Sequence, residues 1–340
     1  MDFKINSMHQ IIIFIVSCFL VGCVSSYGQT QLSGQVLSAV DSLPLPGASV
    51  YFDGTSIGVS TRDDGTFQIS TNSSLTSVLI IQALGFKTYF VQNPGDSKDL
   101  GEIFLIESQE SLDEVHLETD PWSRKKKMEI FKREFLGKDK AALQCRIVNE
   151  EVVKLRYIPS TQTLVAFAEV PLKIVNRFLG YEVTYNLTEF KAEFSTASGL
   201  RLTSMVYYEG FSLFEEIRKK PSKRFLKNRE VTFQGSSLHF MRSLANSELS
   251  ENGFRIFHKG FEVPPYAHFK ITDHGEIKEV ELLQEKITIV FEPLVQSAIQ
   301  AEGNFFIDIF GNYTPAQKVL FSGEMSKART AELLPLNYNF

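Results

Sequence analysis

Gly54, Ser56 and Gly58 have the spacing G-x-S-x-G, which presents a nucleophilic serine in many serine hydrolases. That chemistry needs a strand, a tight turn and then a helix, which together lift the hydroxyl into a cleft. Here Val59–Thr61 continues as a β-forming run, so the glycines suit a hairpin instead. We therefore interpret the match as accidental and assign no catalytic residue.

Metal-binding and cofactor-binding patterns are also missing from the sequence. None of the six histidines is followed by Glu three residues later, as zinc peptidases require. His258, His268 and His274 are separated by 10 and 6 residues, which is no known ligand pattern. No P-loop, dinucleotide-binding glycine fingerprint, Cys-x-x-Cys pair or calcium loop occurs. The sequence therefore predicts no metal and no cofactor. It has many carboxylates, but their spacing along the chain cannot show whether any two face one glycosidic bond.

Positive charge is concentrated between residues 218 and 229. Seven basic residues and no acidic residue lie there: Arg218, Lys219, Lys220, Lys223, Arg224, Lys227 and Arg229. One interpretation is contact with a polyanion, such as lipopolysaccharide phosphates or an acidic glycan, chiefly through Lys219, Lys220 and Arg224. The other interpretation is a solvated loop and strand edge around Pro221.

A second polar cluster follows on a turn and the helix predicted after it. Its members are Asn228, Arg229, Gly235, Ser236, His239 and Arg242. They can line a small ligand pocket, with Arg229, His239 and Arg242 as contacts. Alternatively, Arg229 and Arg242 are buried ion-pair partners that hold the helix to a sheet.

Residues 1–28 are predicted to be a signal peptide. Lys4 precedes the apolar run Ile11–Val24, which is too short for a membrane span. Cleavage after Gly28 is one alternative; in the other, the signal peptide ends at a lipobox whose Cys23 is acylated. Both predict export to the periplasm or the outer membrane, with membrane association only through the lipid anchor. Cys145 is the only cysteine after residue 28, so no internal disulfide is expected.

Short β-forming runs separated by turn residues fill residues 44–90. Asp53-Gly54 and Asp64-Gly65 each lie between two such runs, and Asp-Gly suits a two-residue hairpin turn. Val78–Ala83 is more apolar, which is typical of a strand buried on both faces. This spacing, without a helical period, predicts an antiparallel β-sandwich.

The same stretch resembles the carboxypeptidase regulatory-like domain, a prealbumin-like β-sandwich. The matching positions are Pro44, Gly47, Ala48, Val50, Gly54, Thr55, Gly58, Asp63, Gly65, Phe67, Gly85 and Phe86. The resemblance covers residues 31–106. It implies an accessory domain without catalytic residues, of a kind common in exported proteins of Bacteroidetes-type bacteria.

An acidic linker is predicted at residues 107–121, followed by a second domain at 122–340. Asp120 and Pro121 are suited to begin a helix as its cap and first residue, and Gly137 is suited to end it. Within it Met128, Phe131 and Phe135 fall on one side.

From Glu150 onward the pattern is mainly that of strands, with two further helices. One helix is capped by Ser236 or Ser237, and a final one spans Glu324–Leu334 before Pro335. The fold class is therefore mainly β, an N-terminal antiparallel β-sandwich followed by a larger β-rich α+β domain with a few helices. FKREFLG (131–137), QGSSLHFMRSL (234–244) and neighbouring blocks resemble a Bacteroidetes family that joins a regulatory-like domain to an uncharacterised region. That resemblance implies architecture and export but no mechanism.

Taken together, the sequence predicts a non-enzymatic exported protein of the cell envelope. Its C-terminal domain is expected to bind a partner, either a glycan or an envelope protein. A net charge of −5 gives no reason to expect nucleic-acid binding. One alternative is a hydrolase whose site lies in the C-terminal domain, which would need converging carboxylates or a Ser/His pair in a cleft. The other is a structural role in outer-membrane assembly.

Overall fold

The structure is a computed structural model that describes residues 29–72, 76–92, 94, 98–108, 118–197, 200–291 and 295–339. The predicted signal peptide, with Cys23, and most of the acidic linker lie outside the described residues, and the division at 107–121 stays a prediction. The chain is mainly β, as predicted, and the described strands form five sheets. No helix in the described ranges is long and apolar enough to span a membrane.

The N-terminal part is a sandwich of two sheets. Its strands are β1 Gln29–Ser38, β2 Ser49–Phe52, β3 Gly58–Ser60, β4 Thr66–Asn72, β5 Leu79–Gln82, β6 Tyr89–Val91 and β7 Asp99–Leu105. One sheet has the order β4-β1-β7, with β7 parallel to β1, and the other has the order β3-β2-β5-β6. Leu32, Val50, Phe52, Phe67 and Ile81 fill the space between them. The apolar run Val78–Ala83 therefore becomes a buried strand, as its composition predicted.

Neither Asp-Gly pair forms the predicted two-residue hairpin. The loop after β2 is longer, because the Phe52 N–H donates to the Ile57 carbonyl at 3.0 Å. Asp64-Gly65 connects β3 to β4, which lie in different sheets. There the Asp64 carboxylate accepts from the Thr66 N–H at 2.9 Å, a local turn of the kind that Asp favours.

The next sheet is built around two long strands. Its members are β8 Cys145–Ile147, β9 Val153–Ile158, β10 Thr163–Ala168, β11 Leu172–Asn176, β12 Tyr181–Ala197 and β13 Leu200–Glu216. The order is β8-β11-β12-β10-β9, with β13 paired to β12. Tyr181, Val183, Tyr185 and Leu187 are all buried on one face, as their alternation predicted.

Helix α1, Arg124–Phe135, packs on that face through Met128, Phe131 and Phe135, as predicted. It begins later than predicted, with Ser123 as the cap, because the Ser123 hydroxyl accepts from the Lys126 N–H at 3.3 Å. The Asp120 carboxylate has other partners, and accepts from the N–H groups of Trp122 and Tyr157.

The remainder of the chain packs two sheets around helix α3. Helices α2 Lys223–Phe233 and α3 Ser237–Ala245 come first. They are followed by β14 Phe254–His258, β15 Phe261–Val263, β16 Phe269–Asp273, β17 Ile277–Leu282, β18 Ile287–Phe291, β19 Val295–Ala301, β20 Phe305–Asp308, β21 Tyr313–Thr314 and β22 Val319–Gly323. The sheet orders are β15-β14-β18-β19-β22 and β16-β17-β20-β21. Phe240, Met241 and Leu244 of α3 are fully buried between them, and Ser236 caps α3 as predicted.

Helix α2 was not predicted, since its region was interpreted as a loop or strand edge around Pro221. Ser222 caps this helix, with its hydroxyl accepting from the Phe225 N–H at 3.3 Å. Phe225 and Arg229, one turn apart, form its buried side.

The predicted final helix, Glu324–Leu334, is wrong. Only two short 3-10 turns form, Met325–Lys327 and Thr330–Glu332. The Ala331 N–H donates to the Leu136 carbonyl at 3.2 Å, and the Ala331 carbonyl accepts from the Asn176 side chain at 2.8 Å. Tertiary partners thus satisfy backbone groups that a helix would have paired internally.

Candidate functional site

The loop 53–56, which follows β2, attaches the sandwich to the rest of the chain. The Gly54 N–H donates to the Ser212 carbonyl at 2.8 Å, and the Phe214 N–H donates to the Thr55 carbonyl at 2.9 Å. The Ser212 N–H donates to Asp53 Oδ1 at 2.7 Å. The loop therefore lies along β13 in a short parallel bridge.

Ser56, the serine of the G-x-S-x-G match, lies in this loop. Its hydroxyl accepts from Asn337 Nδ2 at 2.9 Å. Strand β3 follows rather than a helix, so the strand–turn–helix geometry of a hydrolase elbow is not formed here.

A second attachment runs in the opposite direction, from the C-terminal part into the sandwich. Asp308 at the end of β20 is buried, and its Oδ2 accepts from Thr76 Oγ1 at 2.7 Å. Its Oδ1 accepts from the N–H groups of Phe310 and Asn312 at 2.9 and 3.0 Å. The Phe310 side chain, 2% exposed, belongs to the hydrophobic core of the sandwich. The sandwich is thus fixed to its neighbour by polar contacts and by shared core.

A cleft of about 670 Å³ opens between the sandwich and the β8–β13 sheet. One wall comes from the start of β2 and the turn between β5 and β6; the other comes from the β10–β11 connection and β12. The lining residues that matter for binding are the rings Phe86 and Phe167, the neutral polar side chains Ser49, Gln82, Ser108 and Thr184, and the carboxylate Glu169. The cleft exists only because the two parts are docked.

A hydrogen-bonded chain fixes one polar group of the cleft. Asn186 Nδ2 donates to the Tyr51 hydroxyl at 2.6 Å, and Gln82 Nε2 donates to Asn186 Oδ1 at 2.8 Å. Burial raises the pKa of Tyr51 well above its ordinary value, so the phenol stays neutral. Because its amide nitrogen is held by Asn186, Gln82 is oriented in advance for a ligand that enters the cleft.

The cleft is suited to binding rather than to acid–base chemistry. Glu169 is its only carboxylate among the described lining residues, and neither His nor Cys lines it. Hydrolysis by paired carboxyl groups needs a second one about 5–10 Å away. What the cleft does offer is aromatic surface and several hydroxyl and amide groups.

Converging carboxyl groups do occur elsewhere, between Asp139 and Glu332. Burial and the hydrogen bond to Asp139 raise the pKa of Glu332 to about 7. Neither residue lines any of the four described cavities. No described cleft therefore brings a substrate to this pair.

Three of the sequence-predicted contact residues lie on the surface. Lys219 and Lys220 are exposed on the turn before α2, and Arg224 is exposed in its first turn. Arg224 Nη2 donates to the Arg177 carbonyl at 3.2 Å. None of these three residues lines the cleft.

Arg229 and Arg242 point inward instead. Arg229 donates to both carboxylate oxygens of Glu216, at 2.7 and 2.8 Å, and to the Leu179 carbonyl at 2.7 Å. Arg242 donates to the carbonyls of Phe310, Leu336 and Tyr338 at 2.9, 2.7 and 2.8 Å. Arg229 is placed as a buried ion-pair partner, one of the two alternatives from the sequence. Arg242 is buried too, but its partners are backbone carbonyls.

His239 is also internal. Its Nδ1 accepts from the Gly235 N–H at 3.1 Å, and its ring packs on Phe233 and Phe254. Burial, and then the charge of Arg242, lower the pKa of His239 to about 4, so the ring is neutral at physiological pH. The structure therefore does not gather the six sequence-predicted contact residues into one site.

His258 and His268 approach each other although ten positions separate them, with ring centroids 4.7 Å apart. Sequence spacing gave no sign of this pair. No group of three or more His, Cys, Asp or Glu side chains suited to a metal ion occurs within the described ranges.

We expect Asp53, which lies where the sandwich contacts β13, to make the free energy of unfolding depend on pH. Burial raises the pKa of this carboxyl to about 6, and the N–H groups of Ser212 and Gly54 offset only part of that effect. The folded state thus holds the proton more tightly than the unfolded chain, so stability falls as pH rises from about 4 to about 6. We expect Asp53→Asn to gain about 1–3 kcal/mol at pH 7 and almost nothing at pH 4, because Asn keeps the Ser212 bond without ionising.

Urea unfolding of both proteins at the two pH values measures this difference. Asp64→Asn is the control, since hydrogen bonds from Thr66 lower the pKa of the exposed Asp64 carboxyl. Its effect should have the opposite sign and be small. Equal gains from Asp53→Asn at pH 4 and pH 7 would contradict the assignment.

Comparison with known proteins identifies the sandwich. The family model of the CarboxypepD_reg-like domain matches residues 32–117, which agrees with the resemblance seen in the sequence. No curated protein matches the chain.

Solved structures add only distant likenesses. A 9R-lipoxygenase from Cyanothece PCC8801 matches with 12% identity and a TM-score of 0.20, over 66% of this chain and 48% of that one. This chain therefore spans about half the length of that protein. A protein of unknown function from Bacteroides fragilis NCTC 9343 matches with 10% identity and a TM-score of 0.18, over 87% and 93% of the two chains. Both scores are too low to indicate a shared fold.

Proposed function

We propose that this chain, whose N-terminal part is a CarboxypepD_reg-like β-sandwich, is a non-enzymatic exported envelope protein that binds a neutral glycan. The supporting observation is the cleft of about 670 Å³ between the sandwich and the β8–β13 sheet. Small-molecule sites typically measure ~300–1,000 Å³ and favour domain interfaces. Export to the periplasm or outer membrane is part of the proposal and rests on the sequence of residues 1–28.

The lining chemistry favours a sugar. Sugars present hydroxyl groups, which both donate and accept hydrogen bonds, and apolar C–H faces, which pack on aromatic rings. The cleft supplies both kinds of partner, with Gln82 and Thr184 for the hydroxyls and Phe86 and Phe167 for the C–H faces. No Lys or Arg is among the described lining residues, and Glu169 would repel an anion. The ligand is therefore a neutral glycan rather than an acidic one.

The concave shape of the cleft favours a glycan over an envelope protein as the ligand. A stable protein interface buries roughly 800 Å² on each side and is usually much flatter than a cleft of this kind. The hydrolase alternative would need a second carboxylate, and Glu169 is the one carboxylate among the described residues that line the cleft.

Phe167→Ala is expected to weaken glycan binding about 3- to 10-fold, because it removes a stacking surface worth roughly 0.5–1.5 kcal/mol. The full chain is first screened on an array of neutral and acidic oligosaccharides. Titration calorimetry with the best neutral member then compares the variants. Phe306→Ala is the matched control, since Phe306 is 39% exposed against 41% for Phe167 and lines none of the four described cavities.

Three results would count against the proposal. One is the absence of saturable binding to any neutral oligosaccharide on the array. Another is a preference for acidic members, which the single carboxylate of the cleft disfavours. The third is an equal effect of Phe167→Ala and Phe306→Ala.

A further inference from the structure

A compact basic surface lies outside the cleft, on the turn before α2 and on the first half of that helix. Its six exposed cations are Arg218, Lys219, Lys220, Lys223, Arg224 and Lys227. They fall within ten consecutive residues of a chain whose net charge is −5. The local charge is therefore opposite to that of the whole protein.

These cations are concentrated in one stretch of the chain, and no described carboxylate neutralises them. Elsewhere Lys270 pairs with Glu281 at 2.9 Å, and Lys278 pairs with Asp273 at 2.7 Å. None of the six forms an ion pair with a described carboxylate. Glu216, which is close in sequence, has both oxygens bound by the buried Arg229. The positive potential is thus available to an external anion.

The same helix also presents apolar side chains beside its lysines. Phe225 and Arg229 fix the orientation of α2 by pointing inward. The exposed side of α2 therefore carries Lys223 and Lys227 at its centre, with Leu226, 48% exposed, on one flank and Val231, 65% exposed, on the other. Apolar side chains beside a cluster of cations add buried apolar area to the electrostatic attraction that holds a protein on an anionic membrane surface.

We propose that the basic surface docks the protein onto anionic lipid headgroups. The Lys and Arg side chains pair with headgroup phosphates, while Leu226 and Val231 enter the boundary between headgroups and acyl chains. A soluble polyanion would use the same cations but would leave both apolar side chains in water. Glu230, on the same side of α2, accepts from Gln234 Nε2 at 2.7 Å, and it lies beyond the last of the six cations.

Vesicle co-sedimentation tests the electrostatic part. The full chain is mixed with vesicles of phosphatidylcholine alone or with added phosphatidylglycerol, so any contribution of residues 1–28 is common to all samples. Each Lys near an anionic surface is worth roughly fivefold in partitioning. A triple variant with Lys219, Lys220 and Lys223 changed to Ala should therefore bind the anionic vesicles roughly a hundredfold less. The control triple changes Lys259, Lys286 and Lys318, three exposed lysines elsewhere, to Ala and should bind like wild type.

A second variant separates lipid from a soluble polyanion. Leu226→Ser with Val231→Ser should lower vesicle binding severalfold and leave binding to heparin unchanged. Docking on lipid is overturned if anionic vesicles do not bind, if the two lysine triples behave alike, or if the Leu226 and Val231 changes leave vesicle binding intact. Binding to heparin but not to vesicles would assign the surface to a soluble polyanion instead.

Discussion

Replacing Arg242 by Ala is expected to lower the free energy of unfolding by about 3–5 kcal/mol. The guanidinium is buried and donates to the carbonyls of Phe310, Leu336 and Tyr338. It therefore joins α3 to the end of β20 and to the C-terminal segment. Alanine would leave three carbonyls without their donor, and each buried unsatisfied group costs about 1–3 kcal/mol. Urea unfolding followed by circular dichroism measures the loss.

The control for this substitution is Arg224→Ala. Arg224 is exposed and makes one long hydrogen bond to a carbonyl. Its removal should cost less than about 0.5 kcal/mol, as is usual for surface positions. Arg242→Lys should be nearly as harmful as Arg242→Ala, because one ammonium cannot match the spread of a guanidinium. A loss below about 1 kcal/mol for Arg242→Ala would mean that the guanidinium does not hold these segments together.

Phe310→Ala is expected to cost about 3–5 kcal/mol, the range for truncating a buried aromatic side chain. The residue follows β20, yet its ring lies in the core of the sandwich with Leu32 and Phe67. The cavity left behind would thus lie where the two parts of the chain meet. Thermal and urea unfolding give the loss, and limited proteolysis shows whether the sandwich has become loosened from its neighbour.

Phe306→Ala provides the comparison, since Phe306 lies on β20, just before Phe310, but is 39% exposed. Its cost should be at most about 1 kcal/mol. Phe310→Ala should also weaken ligand binding in the cleft, because the two walls of the cleft come from the two docked parts. Similar costs for both substitutions would refute the role of Phe310 as an anchor.

Local patterns predicted much of the fold. The alternation of Tyr181 to Leu187 and the stripe Met128, Phe131 and Phe135 gave correct buried faces, since strand and helix periods are set by the backbone itself. The start of α1 was misplaced because tertiary contacts recruit the Asp120 carboxylate. The final helix failed for a similar reason, as Leu136 and Asn176 bind the Ala331 backbone.

Helix α2 escaped prediction for a different reason. The helix has few apolar residues among the many charges around Lys223, so its amphipathic pattern is weak. One of its two buried residues is Arg229, a residue type that is usually found on the surface. Its bidentate pairing with Glu216 and its hydrogen bond to the Leu179 carbonyl make that burial possible.

The cleft could not be predicted from the sequence. Its walls come from residues 47–49, 82–86, 108, 167–171 and 184, which are brought together only by the docking of the sandwich. Gly47, Gly85 and Phe86 match the regulatory-like pattern, but that pattern carries no binding role, and Ser, Gln, Thr and Phe are ordinary in β proteins. The sequence analysis did include Arg242 among the candidate residues. Its carbonyl partners could not be predicted, because they depend on how the chain after residue 309 packs against α3.

Hydrogen–deuterium exchange with the best neutral oligosaccharide from the array tests glycan binding in the cleft most directly. Binding there should slow exchange in both walls at once, at residues 82–86 of the sandwich and at residues 167–170 of the β10–β11 connection. Exchange at the basic surface, residues 218–227, should stay unchanged. Protection confined to one wall, or found only outside the cleft, would contradict glycan binding between the two parts.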